Sequence, residues 1–123
     1  MQPKKFICGI YHGTQTLDNV EVTGTFVLQL LSDQQVNLVN LLGKQSGKRI
    51  DKIKRLEKRK ALMRWNEFPV LKNALSLMKM KVVDSFEAGD HKAFLCDVED
   101  YLNLNEGEVL TLDHLREKKL IRI

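Results

Sequence analysis

The stretch KMKVVDSFEAGDHKAFLCDV, Lys79 to Val98, carries the clearest structural signal in the chain. Met80, Val82, Val83, Phe86, Ala93, Phe94, Cys96 and Val98 form a β-branched, aromatic-rich pattern with one interruption, which predicts two β-strands. The interruption is Ala88-Gly89-Asp90-His91. Gly89 reaches a positive φ at little cost and Asp90 can hydrogen-bond neighbouring amides, so the hairpin presents His91 at the mouth of the sheet. An imidazole there can donate or accept a hydrogen bond near neutral pH and can lie against a flat ring. A turn histidine bonded to a backbone carbonyl is the plainer alternative.

Upstream, Lys4 to Tyr11 alternates around Phe6, Ile7, Cys8 and Ile10 and reads as a strand, closed off by Pro3. His12-Gly13-Thr14 is a turn, and Thr16 to Val20 a short helix with a hydroxyl cap at Thr14 or Thr16, stopped by Thr23-Gly24. Thr25 to Leu31 is apolar enough for a strand buried on both faces. Ser32-x-x-Gln35 is a capping box; the helix it opens turns Val36, Val39 and Leu42 inward, carries Leu38 at its flank and ends at Gly43.

Between Lys44 and Arg64 lie Lys44, Lys48, Arg49, Lys52, Lys54, Arg55, Lys58, Arg59, Lys60 and Arg64, half of the chain's 20 Lys and Arg, against only Asp51 and Glu57. Ile50, Ile53, Leu56 and then Leu62 or Met63 recur at near-helical spacing, which predicts a helix with one packed face and one basic, solvated face. Trp65 to Pro69 ends it, because proline disfavours helical geometry in the residue before it. Leu71 to Leu77 leads into the hairpin; beyond it, Tyr101 to Gly107 is a strand end and turn, Leu112 to Lys118 a short helical or loop segment, and Leu120 to Ile123 a terminal strand.

A chain of 123 residues is expected to form one domain, 1–123. With 43% hydrophobic and 29% charged residues it has a soluble globular composition, no bilayer-spanning run and no signal-peptide pattern, so the expectation is cytoplasmic with no membrane partner. Cys8 and Cys96 lie in apolar strand-like segments and read as small buried hydrophobes; nothing has metal-ligand spacing. The net charge is +4. The basic segment could neutralise nucleic-acid phosphates, but aromatic residues are absent until Trp65 and Phe68, so a solvated face, charge near an anionic cofactor or a subunit interface is preferred to a nucleic-acid partner. Asp97 and Glu99 alternate onto one strand face as exposed charge, and His12 and His114 have no partner pattern. No glycine-rich loop joins a strand to a helix, which argues against a dinucleotide fold. Strand, helix, strand, helix and a long hairpin suggest a mixed β-barrel with short helices at its edges, an α+β class.

These residues also carry a resemblance. Gly89-Asp90-His91 followed by a strand, Ser46-Gly47 and Asp51-Lys52 upstream, and Thr16 ahead of Gly24-x-Phe26-Val27, in matching order over residues 3 to 107, resemble the flavin reductase-like family. The resemblance implies an FMN-binding split β-barrel, FMN as cofactor, NAD(P)H as hydride donor and a homodimer with flavin near the subunit interface. It implies that Gly89, Asp90 and His91 lie close to the flavin and nicotinamide, with His91 as the catalytic-site residue that positions rings rather than transferring a proton. A flavin phosphate needs hydroxyls, amides at a helix start and cations; Thr16, Lys44, Ser46, Gly47 and Lys52 supply that chemistry where the fold brings them together. Helix capping and solvated charge are the plainer account of the same residues.

Two departures qualify the expectation. Family members carry further residues ahead of the segment matching Pro3, including opening barrel strands, so the chain reads as abridged at its N-terminus and lacking the first strands; an edge so exposed favours dimerisation. Cys96 stands where relatives often have glycine, and a side chain there is expected to crowd the flavin ring. The reading from sequence is therefore an FMN-binding, NAD(P)H-dependent flavin reductase-like oxidoreductase; the alternative is a noncatalytic interaction module that kept the barrel and lost the flavin.

Overall fold

The computed structural model describes residues 5–38, 51–111 and 113. In chain order the elements are β1 (Lys5–Tyr11), α1 (Gln15–Thr23), β2 (Thr25–Leu30), a 3-10 turn (Asp33–Gln35), α2 (Lys52–Lys58), β3 (Leu62–Trp65), β4 (Phe68–Leu71), β5 (Ser76–Ala88) and β6 (His91–Asn103). The described residues are thus mostly β with two short helices. One sheet has the order β1-β6-β5-β2, and β3 pairs with β4 in a second.

Two compact units divide the described residues: one gathers those through Leu28 with Met78–Tyr101, the other Gln29–Leu77 with those from Leu102 onward. The first unit is built on the hairpin. Its strands are longer than their apolar alternation suggests, 13 residues each, because polar residues continue the ladder past the core. One face of β5 and β6 packs against α1: Met80, Phe94 and Cys96 are buried with Leu17 and Val20 of α1, and Phe26, Leu28, Met78, Val82 and Val98 pack around them, while Ala93 is buried on the other face. The charges at Asp97 and Glu99 lie on the other face, within ion-pair reach of Lys5 (2.5 Å) and Lys79 (3.6 Å).

α1 begins one residue earlier and ends three residues later than its apolar pattern predicts. Thr14, extended at φ −98° and ψ 152°, caps it, and Gly24 ends it in the left-handed region at φ 68°. β2 departs from expectation: all of Thr25 to Gln29 are half-buried and Leu30 is exposed, so neither face is fully covered.

The second unit corrects the helical reading of the basic segment. Among its described residues helix covers only Lys52–Lys58, and Leu62 and Met63, taken for its last inward positions, are strand residues instead. Lys60 turns the chain out of α2 at φ 54°, and Asn66 and Glu67, at φ 51° and 68°, close a two-residue turn between β3 and β4. Two successive left-handed residues match the right-handed twist of a hairpin, and asparagine is favoured there. Pro69 is accommodated in β4, opposite Arg64 in a two-stranded sheet where it interrupts little of the ladder. Buried Leu56, Val70, Leu71, Ala74, Leu75 and Leu77 form the apolar interior of this unit. The Ser32–Gln35 motif is present, with Ser32 N–H donating to Gln35 Oε1 at 3.0 Å, but it opens a 3-10 turn. The helix expected through Val39, Leu42 and Gly43, and the segments expected at 114–123, lie outside the described residues.

Candidate functional site

The turn between β5 and β6 follows from its two residues. Gly89 takes φ 72°, and the left-handed conformation falls on it alone, as in hairpin turns that place glycine first. His91 therefore becomes the first residue of β6, where the antiparallel ladder sets it opposite Tyr11 of β1, with Gly9 opposite Ala93. Alternate strand residues share a face, so Gly9, Tyr11, His91 and Ala93 lie on one side of the sheet.

Three neighbours define the His91 ring. Its Nδ1 is 2.8 Å from Asp90 Oδ1. An ionised carboxylate only accepts, so Nδ1–H donates and Nε2 of the neutral ring is left as an acceptor. Chiefly through this bond the Asp90 carboxyl is held below its usual range. The Tyr11 ring meets His91 edge-on, with centroids 6.1 Å apart and planes at 68°. Beneath lies Gly9, where an added Cβ would stand 2.7 Å from His91 Cδ2 and 3.2 Å from Nε2.

A second imidazole flanks the turn. His12 Nε2 donates to Glu87 Oε2 at 2.7 Å, and the His12 N–H donates to the Asp90 carbonyl at 3.1 Å. Sequence spacing suggested no partner for His12, because the two residues meet only through pairing across β1, β6 and β5. After it, Gly13 turns at φ 81° into open space. Thr14 Oγ1 accepts from Leu17 N–H at 3.2 Å and donates to the Tyr11 carbonyl at 2.9 Å. Thr14 is thus the cap, and Thr16 is exposed on the first turn of α1.

Of the residues singled out from sequence, Gly89, Asp90 and His91 come together, and Thr16 belongs to the same compact unit. Lys52 belongs to the other, half-buried at the start of α2, whose cap is Asp51 Oδ1 accepting from Lys54 N–H at 3.0 Å. Lys44, Ser46 and Gly47 lie outside the described residues. Cys96 is wholly buried, on the opposite face of β6 from His91, so its side chain does not crowd that histidine. Burial, with a smaller effect of neighbouring Cys8, pushes its thiol up to about 11; burial also raises Cys8. Such thiols are poor nucleophiles. Among the described residues no three His, Cys, Asp or Glu side chains converge on a metal site, and no helix is long and apolar enough to cross a membrane.

Gly9 went unnoticed in the sequence. Its signal was available only as a glycine inside an otherwise apolar strand, a mark of close approach by another group.

Comparison with known proteins gives the family and the fold. The family described as Flavin reductase like domain matches residues 1–119. Among solved structures, a flavin reductase in its native state is 25% identical, with a TM-score of 0.69, covering 88% of this chain and 65% of that one. The FMN-binding protein of Thermus thermophilus is 22% identical with a TM-score of 0.69, covering 82% and 55%. Flavoredoxin of Methanosarcina acetivorans is 17% identical with a TM-score of 0.72, covering 91% and 61%. The chain thus spans less than two thirds of the length of each, and the last two likenesses bear on the fold alone, which is that of the split-barrel proteins. No curated protein matches the sequence.

Proposed function

This chain belongs to the flavin reductase like domain family, and we propose that it binds FMN and brings NAD(P)H to it as a flavin reductase. The observation that carries this reading is the held imidazole: His91, tied through Nδ1 to Asp90 at 2.8 Å, offers a fixed ring and an acceptor nitrogen on an accessible sheet face. When bound, the flavin supplies the hydride-accepting chemistry. The chain's own part is to bind, orient and exclude water, and orientation alone accounts for large rate factors.

Local chemistry fits such a ligand. The first turn of α1 has amides that the helix itself does not satisfy; Thr14 takes care of Leu17, and the exposed Thr16 hydroxyl stands at the same helix end, beside the open space at Gly13. That end suits an anion. In this reading Thr16 contacts the flavin phosphate, and Lys44, Ser46, Gly47 and Lys52 are the further phosphate-binding residues. Gly89, Asp90 and His91 line the redox face, where His91 orients rings and moves no proton. The protein acts in the cytoplasm as a homodimer.

Titration of the purified protein with FMN, followed by flavin fluorescence, tests this reading. Wild type is expected to bind in the micromolar range, Lys52→Ala about tenfold more weakly because one charge-assisted phosphate contact is lost. His91→Ala is expected to lower NAD(P)H oxidation by about tenfold or more, beyond any change in FMN affinity. A folded wild-type protein that binds no FMN refutes the assignment and leaves a noncatalytic interaction module with the same fold.

A further inference from the structure

We propose that Gly9 is a positioning residue: the absence of a side chain there lets the His91 imidazole lie on β1 in the single orientation that Asp90 and Tyr11 hold. The inference rests on the reading of His91 as a cofactor-facing group and extends it to a different strand.

Backbone conformation does not explain this glycine. The left-handed glycines among the described residues are Gly13, Gly24, Gly89 and Gly107, and Gly9 is not one of them. A glycine inside a strand otherwise weakens it, through lost side-chain packing and a larger entropy of the unfolded chain. Space explains it. The 2.7 Å between a Cβ at position 9 and His91 Cδ2 is far inside the roughly 3.5–4.0 Å at which carbon atoms rest against each other.

Either the strand or the ring must yield to a methyl group there. On both sides of Gly9 the ladder is closed, with Cys8 opposite Phe94 and Ile10 opposite Lys92, so β1 can back away only by opening its pairing with β6. The ring is the end of a side chain with two rotatable bonds and 39% exposure. It will move. Rotation off β1 carries Nδ1 away from Asp90 Oδ1, breaking the 2.8 Å bond, and opens the edge contact with Tyr11. Because the ring leaves towards solvent and not into the core, the fold loses little while the orientation of the site is lost. Displacement of a positioned group by about 1 Å is enough to cost on the order of a hundredfold in rate.

The test compares Gly9→Ala, His91→Ala and the double variant in the full chain. NMR without cofactor reads the seat directly. In wild type the His91 nitrogens are expected to show a proton on Nδ1, with a cross-peak between the Tyr11 and His91 rings. In G9A both signatures are lost, the Asp90 carboxyl titrates higher, and the thermal midpoint stays within a few degrees of wild type. NAD(P)H turnover falls about tenfold or more at saturating FMN, and G9A adds nothing further in the His91→Ala background, where there is no ring to displace.

Two results overturn the proposal: retention of the Nδ1–H signature in G9A, or an undiminished G9A penalty in the His91→Ala background. If the signature is lost but turnover is unchanged, the seat is upheld and the cofactor-facing reading of His91 is the part refuted. Should G9A fail to fold, folding of G9A/H91A supports the proposal, because the methyl then has room; failure of both overturns it.

Discussion

Asp90 and His91 share one hydrogen bond, and the titration of the Asp90 carboxyl depends on it. The Asp90 carboxyl is held low chiefly by the imidazole, so His91→Gln is expected to return its titration to the ordinary carboxylate range, as read by carboxyl NMR. A depressed folded value means that the contribution to stability is present above the unfolded carboxylate value and disappears as pH falls through the folded one. Cys96 gives the opposite sign. Its thiol, raised to about 11 by burial, retains its proton in the folded state while the unfolded chain loses its own, so stability declines as pH climbs from the ordinary thiol range towards 11. Native-state alkylation with iodoacetamide is expected to be slow at pH 8 for both cysteines and slowest at Cys96; rapid labelling of Cys96 in folded protein contradicts its burial. The sequence made Cys96 legible as core, since apolar neighbours surround it; Cys8, read in the same way, is only half-buried. It did not distinguish Thr14 from Thr16 as the cap, because either hydroxyl precedes a helical pattern and only the backbone angles decide.

At the scale of elements, α2 ends with an internally consistent but strained closure. Ala61 N–H donates to the Leu56 carbonyl at 3.0 Å and Lys60 N–H to the Glu57 carbonyl at 2.9 Å, a Schellman pattern with lysine where glycine is favoured. The positive charge offsets part of that strain by its place at the helix C-terminus. Lys60→Gly is expected to stabilise the protein by about 0.5 kcal/mol, and Glu67→Gly, which has no such compensation, by about 1 kcal/mol, both measured by urea denaturation. Met80→Ala, at a fully buried position of β5, is expected to cost about 2–5 kcal/mol. The hairpin was legible because alternation and a glycine turn agree. The β3–β4 pair was not: Ile53 and Leu56 establish a helical spacing that Leu62 and Met63 continue by coincidence, and Asn66-Glu67 lacks the glycine that would have announced a turn.

For the molecule as a whole, the proposed homodimer predicts a light-scattering mass of two chains; a single-chain mass throughout the micromolar range contradicts it. The class of fold could be read from the sequence because it rests on local alternation and turn residues. The imidazole seat could be read only at Asp90, the residue next to His91; Gly9 and Tyr11 meet His91, and Glu87 meets His12, through strand order, which spacing along the chain does not reveal. That order has a dynamic consequence. β1 stands at one end of its sheet and pairs only with β6 among the described strands. Terminal strands detach more readily than central ones, by local openings whose free energy is smaller than that of global unfolding. Whenever β1 lifts, Gly9 and Tyr11 leave together and His91 keeps only Asp90. Ligand affinity is then scaled by the fraction of molecules in which the strand is docked, and amide hydrogen exchange along Lys5–Tyr11 becomes the measure of how often the site exists at all.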